Sequence, residues 1–256
     1  EMASRFEREA RVMSRLTHPN LVQLLSVEHD GPMQFLVMKF VEGESLSARL
    51  RERGRHTTRE ALSILAQLGS ALDHVHARGI VHRDVKPSNV ILSPAGHVTL
   101  LDLGISRPKN SQLTMAGSVL GTPQYMAPEQ AKAEAVDHRA DLYSLGLIAY
   151  HLLTGEPTFP KAGPYEALRQ TVFETPQLAS ERSAAVSEAL ARVLERMLSK
   201  QPTERYDSAA DFQEALMQAF AVDSTDRSLS AARREATAQD ALPHPGREPP
   251  GLRPSS

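Results

Sequence analysis

The sequence contains no cysteine among its 256 residues. Disulfides, thiolate metal ligands and a cysteine nucleophile are therefore excluded, and the composition fits a reducing compartment. No stretch approaches the roughly 18 consecutive apolar residues that a membrane-spanning helix needs. The chain also lacks the basic and then apolar beginning of a signal peptide. We therefore expect a cytoplasmic location, with membrane attachment only through a segment outside this sequence.

Charge of one sign is not in excess either. The 29 Lys and Arg residues nearly balance the 31 Asp and Glu residues, which gives a formal net charge of −2. Because nucleic acids bind basic surfaces, we expect no nucleic-acid partner. Hydrophobic residues make up 41% of the chain, which is enough for a sizeable core. The length predicts one domain, or one domain divided into two lobes.

The order of the predicted elements indicates an α+β fold, with a small β lobe followed by a mainly helical lobe. Apolar spacing predicts a long helix that begins after Thr57 or Thr58 and ends before Gly79. The other predicted helices cover 5–16, 137–153, 164–172, 184–199 and 208–220, and the predicted strands cover 21–27, 34–40, 90–92 and 98–101. We expect domain boundaries at 1–41, 42–222 and 223–256, the last a disordered tail rich in Pro and Arg.

Residues 81–89, Val-His-Arg-Asp-Val-Lys-Pro-Ser-Asn, combine an acid, a cation and an amide within six positions. Phosphoryl transfer uses a carboxylate to orient the attacking hydroxyl, a cation near the phosphate and oxygen ligands for Mg²⁺. Asp84, Lys86 and Asn89 supply one group of each kind. A charged surface turn is the alternative for a bare Asp-x-Lys, but the complete segment belongs to a known signature set.

Two further segments follow in a fixed order. Asp102-Leu103-Gly104 comes directly after a predicted strand, 13 residues beyond Asn89. Residues 121–129 read Gly-Thr-Pro-Gln-Tyr-Met-Ala-Pro-Glu. Together with the first segment, they resemble the catalytic loop, the Asp-Phe-Gly motif and the end of the activation segment of protein kinases. The Asp-Val-Lys-Pro-Ser-Asn stretch is similar to the corresponding stretch of the bacterial serine/threonine kinases that resemble the eukaryotic (Hanks-type) enzymes.

This resemblance implies roles for individual residues, with ATP and Mg²⁺ or Mn²⁺ as cofactors and proteins as substrates. Asp84 would be the catalytic base and Lys86 would contact the γ-phosphate, while Asn89 and Asp102 would bind the metal ion. Thr122 would join the catalytic aspartate and lysine. Four residues would be structural, namely Arg83, Glu129, Asp141 and Arg205, with Glu129 and Arg205 forming a buried ion pair.

The first part of the chain resembles the remainder of a kinase small lobe. Glu9 matches the helix glutamate that pairs with the ATP-binding lysine. Met38 matches the gatekeeper, and the backbones of Lys39 and Val41 would hydrogen-bond adenine above Leu92. Met13 and Leu24 would stack with His82 and Leu103 in a hydrophobic spine.

The polar stretch 106–120 resembles the part of the activation segment that is phosphorylated in related kinases. Thr114 is the first candidate and Ser118 the second, and Arg83 would meet the phosphate. A homodimer could perform this modification in trans. An ordinary polar loop is the alternative.

A glycine-rich loop and a Val-Ala-x-Lys strand precede the helix glutamate in family members. Here no glycine occurs before Gly31 and no lysine before Lys39, and the chain starts at Glu1 instead of Met. We therefore expect an N-terminally truncated fragment of a kinase that binds ATP weakly and transfers phosphate slowly. A degenerate kinase serving as a binding or scaffold module, and a small-molecule phosphotransferase, are the alternatives.

Overall fold

The computed structural model describes residue 10 and residues 13–31, 33–102, 123–159 and 163–223. Its strands are β1 (Leu24–Asp30), β2 (Met33–Met38), β3 (Glu44–Ser45), β4 (Val90–Leu92) and β5 (Val98–Leu100). Its helices are α1 (Leu46–Arg53), α2 (Thr58–His76), α3 (Pro128–Ala131), α4 (Arg139–Thr154), α5 (Pro164–Phe173), α6 (Ala179–Arg182), α7 (Glu188–Met197) and α8 (209–223). The α+β class is therefore as predicted. Contacts divide the chain into two compact units, Glu1–Phe220 and Ala221–Ser256.

Two small antiparallel sheets form the β structure of the first unit. β1 pairs with β2, with Glu28 opposite Phe35, and the order of the second sheet is β3-β4-β5. The predicted strands 21–27 and 34–40 had the wrong boundaries, because β1 covers Leu24–Asp30 and β2 covers Met33–Met38. Leu21 instead forms an isolated parallel bridge with Leu100 of β5.

Residues 18–22, which we call the junction segment, are tied to β5 and α2 by hydrogen bonds. The Nδ2 group of buried Asn20 donates to the carbonyl of Val98 at 2.7 Å and to Oε1 of Gln67 at 3.1 Å. The backbone adds bonds from Leu100 N–H to the Asn20 carbonyl, at 2.8 Å, and from Val22 N–H to the Leu100 carbonyl, at 3.0 Å. The chain just before β1 is therefore fixed to the helical part of the unit.

Helix α2 begins where the sequence predicted. The Thr57 hydroxyl accepts from Glu60 N–H at 3.3 Å, and the Glu60 carboxylate accepts from Thr57 N–H at 3.0 Å. This capping box satisfies two N–H groups that have no partner inside a helix. The helix packs its apolar face against α4 and ends before Gly79, whose φ of 71° is a left-handed conformation suited to glycine.

Helix α4 is the centre of the large lobe. Thirteen of its 16 residues are buried, so it is apolar on almost every side. Gly146 lets it approach α7 closely, because a Cβ at this position would lie 2.7 Å from Cγ of Met197. In the part of the chain that the structure describes, no helix has both the length and the apolar character of a membrane span.

The predicted helix over 184–199 is present as α7, but with narrower bounds, Glu188–Met197. The short helix α6 ends at Arg182, before the predicted range. The Ser187 hydroxyl accepts from Leu190 N–H at 3.3 Å and so begins α7 as an N-cap. Serine favours this capping position, which explains why α7 begins after Ser187 instead of at residue 184.

Candidate active site

Buried Asp141, in the first turn of α4, holds the segment that precedes the predicted catalytic residue. Its carboxylate accepts from the N–H groups of His82 and Arg83, each at 2.7 Å. It also contacts Nε2 of His76, at the end of α2, at 2.8 Å. Arg83 has a φ of 64°, an uncommon conformation for a residue with a side chain. These bonds explain how the surrounding structure maintains that conformation.

His82 is fully buried and links this segment to the end of β5. Its Nδ1 accepts from Asp84 N–H at 3.3 Å, so its Nε2 carries the hydrogen that is donated to the Leu101 carbonyl at 2.9 Å. Burial lowers the pKa of His82, so the ring is neutral at pH 7. A neutral ring with one donor and one acceptor matches these two partners.

Asp84, Lys86 and Asn89 form one hydrogen-bonded cluster. Nζ of Lys86 lies 2.7 Å from Oδ2 of Asp84, and Nδ2 of Asn89 donates to the same oxygen at 3.0 Å. The 3-10 turn Pro87–Asn89 brings the amide back, where it also donates to the Asp84 carbonyl at 2.9 Å. The Asp84 side chain is 18% exposed, so the oriented carboxylate remains accessible to a substrate hydroxyl.

Asp102 follows β5 next to this cluster. Leu101 N–H donates to the Asn89 carbonyl at 2.8 Å, which ties the residue before Asp102 to the residue that ends the 3-10 turn. Asp102 is exposed and has a φ of 46°. A carboxylate and an amide oxygen are the donor types that Mg²⁺ and Mn²⁺ prefer, so Asn89 and Asp102 fit such an ion.

The predicted adenine-binding residues lie in and after β2 and on β4. Met38 ends β2 opposite Leu24, and Lys39 N–H donates to the Gln23 carbonyl at 2.9 Å. Val41 is partly exposed, whereas Leu92 on β4 is only 1% exposed. Of the predicted spine, Met13, Leu24 and His82 are buried. The remaining predicted residues, Glu9, Leu103, Thr114, Ser118 and Thr122, lie outside the described residues.

Glu129 and Arg205 meet in a buried bidentate ion pair. Nη1 and Nη2 of Arg205 lie 2.7 Å and 2.8 Å from the two Glu129 carboxylate oxygens. Arg205 also donates to the carbonyls of Ser199 and Arg139, so its remaining N–H groups have partners. The arginine is 2% exposed. Such a pair fixes α3 to the large lobe with defined geometry.

Residues between 123 and 130 form a wall beside Asp84. Tyr125, Met126 and Gln130 line a shallow recess together with Arg83 to Lys86. The Tyr125 hydroxyl forms a hydrogen bond with Nδ1 of His151 at 2.7 Å, and Ser144 Oγ donates to the Tyr125 carbonyl at 2.7 Å. Burial lowers the pKa of His151 to about 4 and raises the pKa of Tyr125. The histidine is therefore neutral at pH 7.

Three of these residues were not found by sequence reasoning. His76 and His151 act through partners 65 and 26 positions away, and no local pattern indicates such partners. Gln130 had a weak signal, because it is the third residue of a helix that begins with Pro128, where a side chain can cap the helix.

The loop, the oxygen donors and the buried ion pair together define the site of a phosphotransferase of the protein kinase type. The protein kinase domain family matches residues 1–220, and the chain belongs to this family. It is similar to serine/threonine-protein kinase PknB of Mycolicibacterium smegmatis, with 38% identity over 83% of this chain and 35% of the relative. Serine/threonine-protein kinase Pkn1 of Myxococcus xanthus is 42% identical over 86% of this chain and 32% of the relative.

A second relative from Myxococcus xanthus, serine/threonine-protein kinase pkn3, is 36% identical over 93% of this chain and 45% of its own length. The predicted membership of the bacterial serine/threonine kinases is therefore confirmed. The chain spans about a third of the length of the first relatives it matches.

Proposed function

We propose that this chain is the catalytic part of a serine/threonine protein kinase, which transfers the γ-phosphate of ATP to hydroxyl groups of proteins. The observation that carries the proposal is the cluster in which Lys86 and Asn89 both contact Oδ2 of Asp84, at 2.7 Å and 3.0 Å. Catalysis of phosphoryl transfer consists mainly of positioning and charge stabilisation, and this cluster provides both.

Each residue has a distinct task in this reaction. The Asp84 carboxylate accepts a hydrogen bond from the acceptor hydroxyl and takes up its proton as the oxygen attacks phosphorus. The ammonium group of Lys86 neutralises charge on the transferred phosphoryl group. The bond from phosphorus to the ADP oxygen breaks, and ADP leaves. The neighbouring amide of Asn89 keeps the carboxylate in place.

Asn89 and Asp102 would hold the divalent cation. When bound, Mg²⁺ or Mn²⁺ neutralises charge on the phosphates and orients them. The residues proposed to hold the adenine ring are Met38, Lys39, Val41 and Leu92, with Glu9 as the partner of a phosphate-contacting lysine. The family resemblance supports these assignments.

A protein acceptor is favoured over a small molecule by the wall of Tyr125, Met126 and Gln130 beside Asp84. This wall belongs to the segment that resembles the end of a kinase activation segment, which binds peptide substrates in the family. We propose a cytoplasmic location for this reaction.

The direct test measures transfer of radiolabelled phosphate from ATP, with Mg²⁺, to peptides whose acceptor is serine, threonine or tyrosine. We expect transfer to serine and threonine, and a decrease of about 10²- to 10⁴-fold in the variant Asp84→Asn, because the base is lost. Asp207→Asn is the matched control, since this exposed aspartate is distant in sequence from the loop and should leave the rate unchanged.

The decisive quantity is the ratio of the transfer rate of the native chain to that of Asp84→Asn. The same assay measures the absolute rate, which the sequence predicts to be low. Equal rates for the native chain and Asp84→Asn would contradict the proposal. Binding of ADP and Mg²⁺ without any transfer would favour a binding module. Transfer only to small molecules would favour a small-molecule phosphotransferase.

Modification at Thr114 and Ser118 is a second part of the proposal, with a second copy of the chain as the enzyme in trans. Arg83, directly before Asp84, is the expected partner of the phosphate. Mass spectrometry of active protein should find phosphate within 106–120, and its rate of appearance should increase with protein concentration. An unmodified peptide in active protein would exclude it.

A further inference from the structure

The peptide group between Arg83 and Asp84 is held from both of its ends. Its N–H, on Asp84, donates to Nδ1 of His82 at 3.3 Å. Its carbonyl, on Arg83, accepts from Nε2 of Gln130 at 3.0 Å. The orientation of this peptide group determines where the Asp84 side chain leaves the backbone. It also lies next to a φ of 64° at Arg83, an uncommon backbone conformation for a residue with a side chain.

Gln130 is well suited to hold this carbonyl, because the other end of its amide is fixed. Its Oε1 accepts from Ala127 N–H at 3.1 Å, directly before the first residue of α3. Only the orientation with oxygen toward Ala127 and nitrogen toward Arg83 gives both bonds. The adjacent Glu129 is anchored by the buried pair with Arg205, so the helix that carries Gln130 is itself fixed.

We propose that Gln130 is a positioning residue that sets the orientation of Asp84 through the Arg83 carbonyl, and so connects the end of the activation segment to the catalytic base. The kinetic consequence rests on the proposed kinase function. Without the Gln130 bond the carbonyl of this peptide group loses that partner, so the group can tilt about its remaining bond to His82 and displace the Asp84 carboxylate from its contacts with Lys86 and Asn89. Gln130 itself contacts no reacting atom.

Three substitutions distinguish the contributions of the two hydrogen bonds that the Gln130 amide makes. Gln130→Leu removes both hydrogen bonds, Gln130→Glu keeps the acceptor for Ala127 N–H but loses the donor, and Gln130→Lys keeps a donor for the Arg83 carbonyl. Gln218→Leu, on an exposed face of α8, is the matched control. If the donor matters, Gln130→Glu is impaired as much as Gln130→Leu, and Gln130→Lys is impaired less.

Steady-state kinetics gives the first measurement. Displacing a catalytic group by about 1 Å can cost 10²-fold, so we expect kcat to decrease by about 10- to 100-fold in Gln130→Leu and Gln130→Glu. The KM for ATP should stay within about twofold, because the proposed adenine-binding residues lie on other elements. A kcat equal to that of the native chain in both variants overturns the proposal.

Hydrogen exchange gives a second measurement that requires no activity. The amides of Arg83 and Asp84 should exchange about tenfold faster in Gln130→Leu and Gln130→Glu, while the amides of α4 and α7 keep their protection. Unchanged exchange at 83 and 84, or equal loss of protection in α4 and α7, overturns the positioning role. If the native chain shows no Asp84-dependent transfer, the proposed function fails, but this measurement still decides the role of Gln130.

Discussion

Burial controls the charge of His151, the hydrogen-bond partner of the Tyr125 hydroxyl beside the recess. Its pKa is lowered to about 4 from 6.5, first by burial and then by the nearby His56, while Glu156 acts in the opposite direction. The ring is therefore neutral in the folded protein over most of the physiological range. In the protonated ring Nδ1 carries a hydrogen, so it could only donate to the Tyr125 hydroxyl oxygen.

We expect a pH-dependent contribution of His151 to the free energy of unfolding. Between pH 6.5 and pH 4 the unfolded chain binds a proton at His151 that the folded chain does not bind. The stability is therefore complete above pH 6.5, decreases as the pH falls toward 4, and loses at most about 3 kcal/mol from this group. Urea unfolding of the native chain and of His151→Asn from pH 4 to 7 measures it.

The free energy of unfolding of His151→Asn should change less with pH over this range than that of the native chain. In His29→Asn, at an exposed position of β1, it should change with pH as in the native chain. Equal slopes for His151→Asn and the native chain would contradict the assignment. The other buried histidines stay in both proteins, so the difference reports His151 together with its coupling to His56.

Single residues also show what the sequence could and could not predict. Asp84, Lys86 and Asn89 were predictable because they lie within six positions of one another. The pairing of Glu129 with Arg205 came from the family resemblance, since nothing local joins positions 76 apart. His76 and His151 escaped prediction because a lone histidine on a helix is usually structural, and its partner is known only from the tertiary structure.

Among the elements, α4 and α7 are packed closely enough that Gly146 cannot be replaced without rearrangement. A Cβ there would lie 2.7 Å from Cγ and 3.4 Å from Cβ of Met197. Met197 is fully buried, and the nearest contact involves the base of its side chain instead of its flexible end. Relieving the overlap therefore requires rotation about χ1 of a buried side chain or a shift of one helix against the other.

We expect Gly146→Ala to destabilise the protein by about 1–2 kcal/mol. Alanine gains up to about 1 kcal/mol of helix propensity over glycine, but overpacking a core costs about 1–3 kcal/mol. Urea denaturation measures the difference. Gly69→Ala on α2 is the matched control, because its nearest atom is 3.2 Å away and the cost should be smaller. A Gly146→Ala variant as stable as the native chain would be inconsistent with this packing.

Element boundaries were the least predictable part of the fold. The pattern of apolar residues correctly placed α2, β4 and most of α4, because each is continuous in sequence. The strand predicted from residue 21 began instead at Leu24, since Leu21 pairs with β5 about 80 residues later. The helix predicted from residue 184 began instead at Glu188, because Ser187 is its N-cap, and the period alone does not distinguish a cap from an exposed helical position.

For the whole molecule, Asp141 joins three parts that are distant in sequence. Asp141 itself belongs to α4. Its carboxylate contacts His76 at the end of α2 and the N–H groups of His82 and Arg83 in the loop before Asp84. It is 1% exposed, so water cannot replace these partners. The class of fold followed from the order of the motifs, and the structural role of Asp141 at the catalytic loop followed from the family resemblance, but its tie to His76 was not predicted.

Asp141→Ala should destabilise the whole unit by about 3–5 kcal/mol, because it leaves buried donors without their acceptor. Thermal and urea unfolding measure the loss, and hydrogen exchange should increase both at His82 and Arg83 and at the end of α2. Asp207→Ala removes an exposed ion pair with Arg139 and should cost no more than about 0.5 kcal/mol. Equal losses for the two variants would show that Asp141 is not such a link.

The junction segment also has a mechanical consequence. Since Asn20 and Leu21 are bonded to β5, and Asn20 also to α2, they act as the fulcrum for any rotation of the β1–β2 hairpin relative to the large lobe. The hairpin is then a lever about 20 Å long, from Leu24 to Asp30. In such a rotation the turn at Gly31 moves furthest. Met38 and Lys39 lie opposite Leu24 and Gln23, close to the rotation axis, and move least. The residues proposed to bind adenine thus lie where the displacement is smallest.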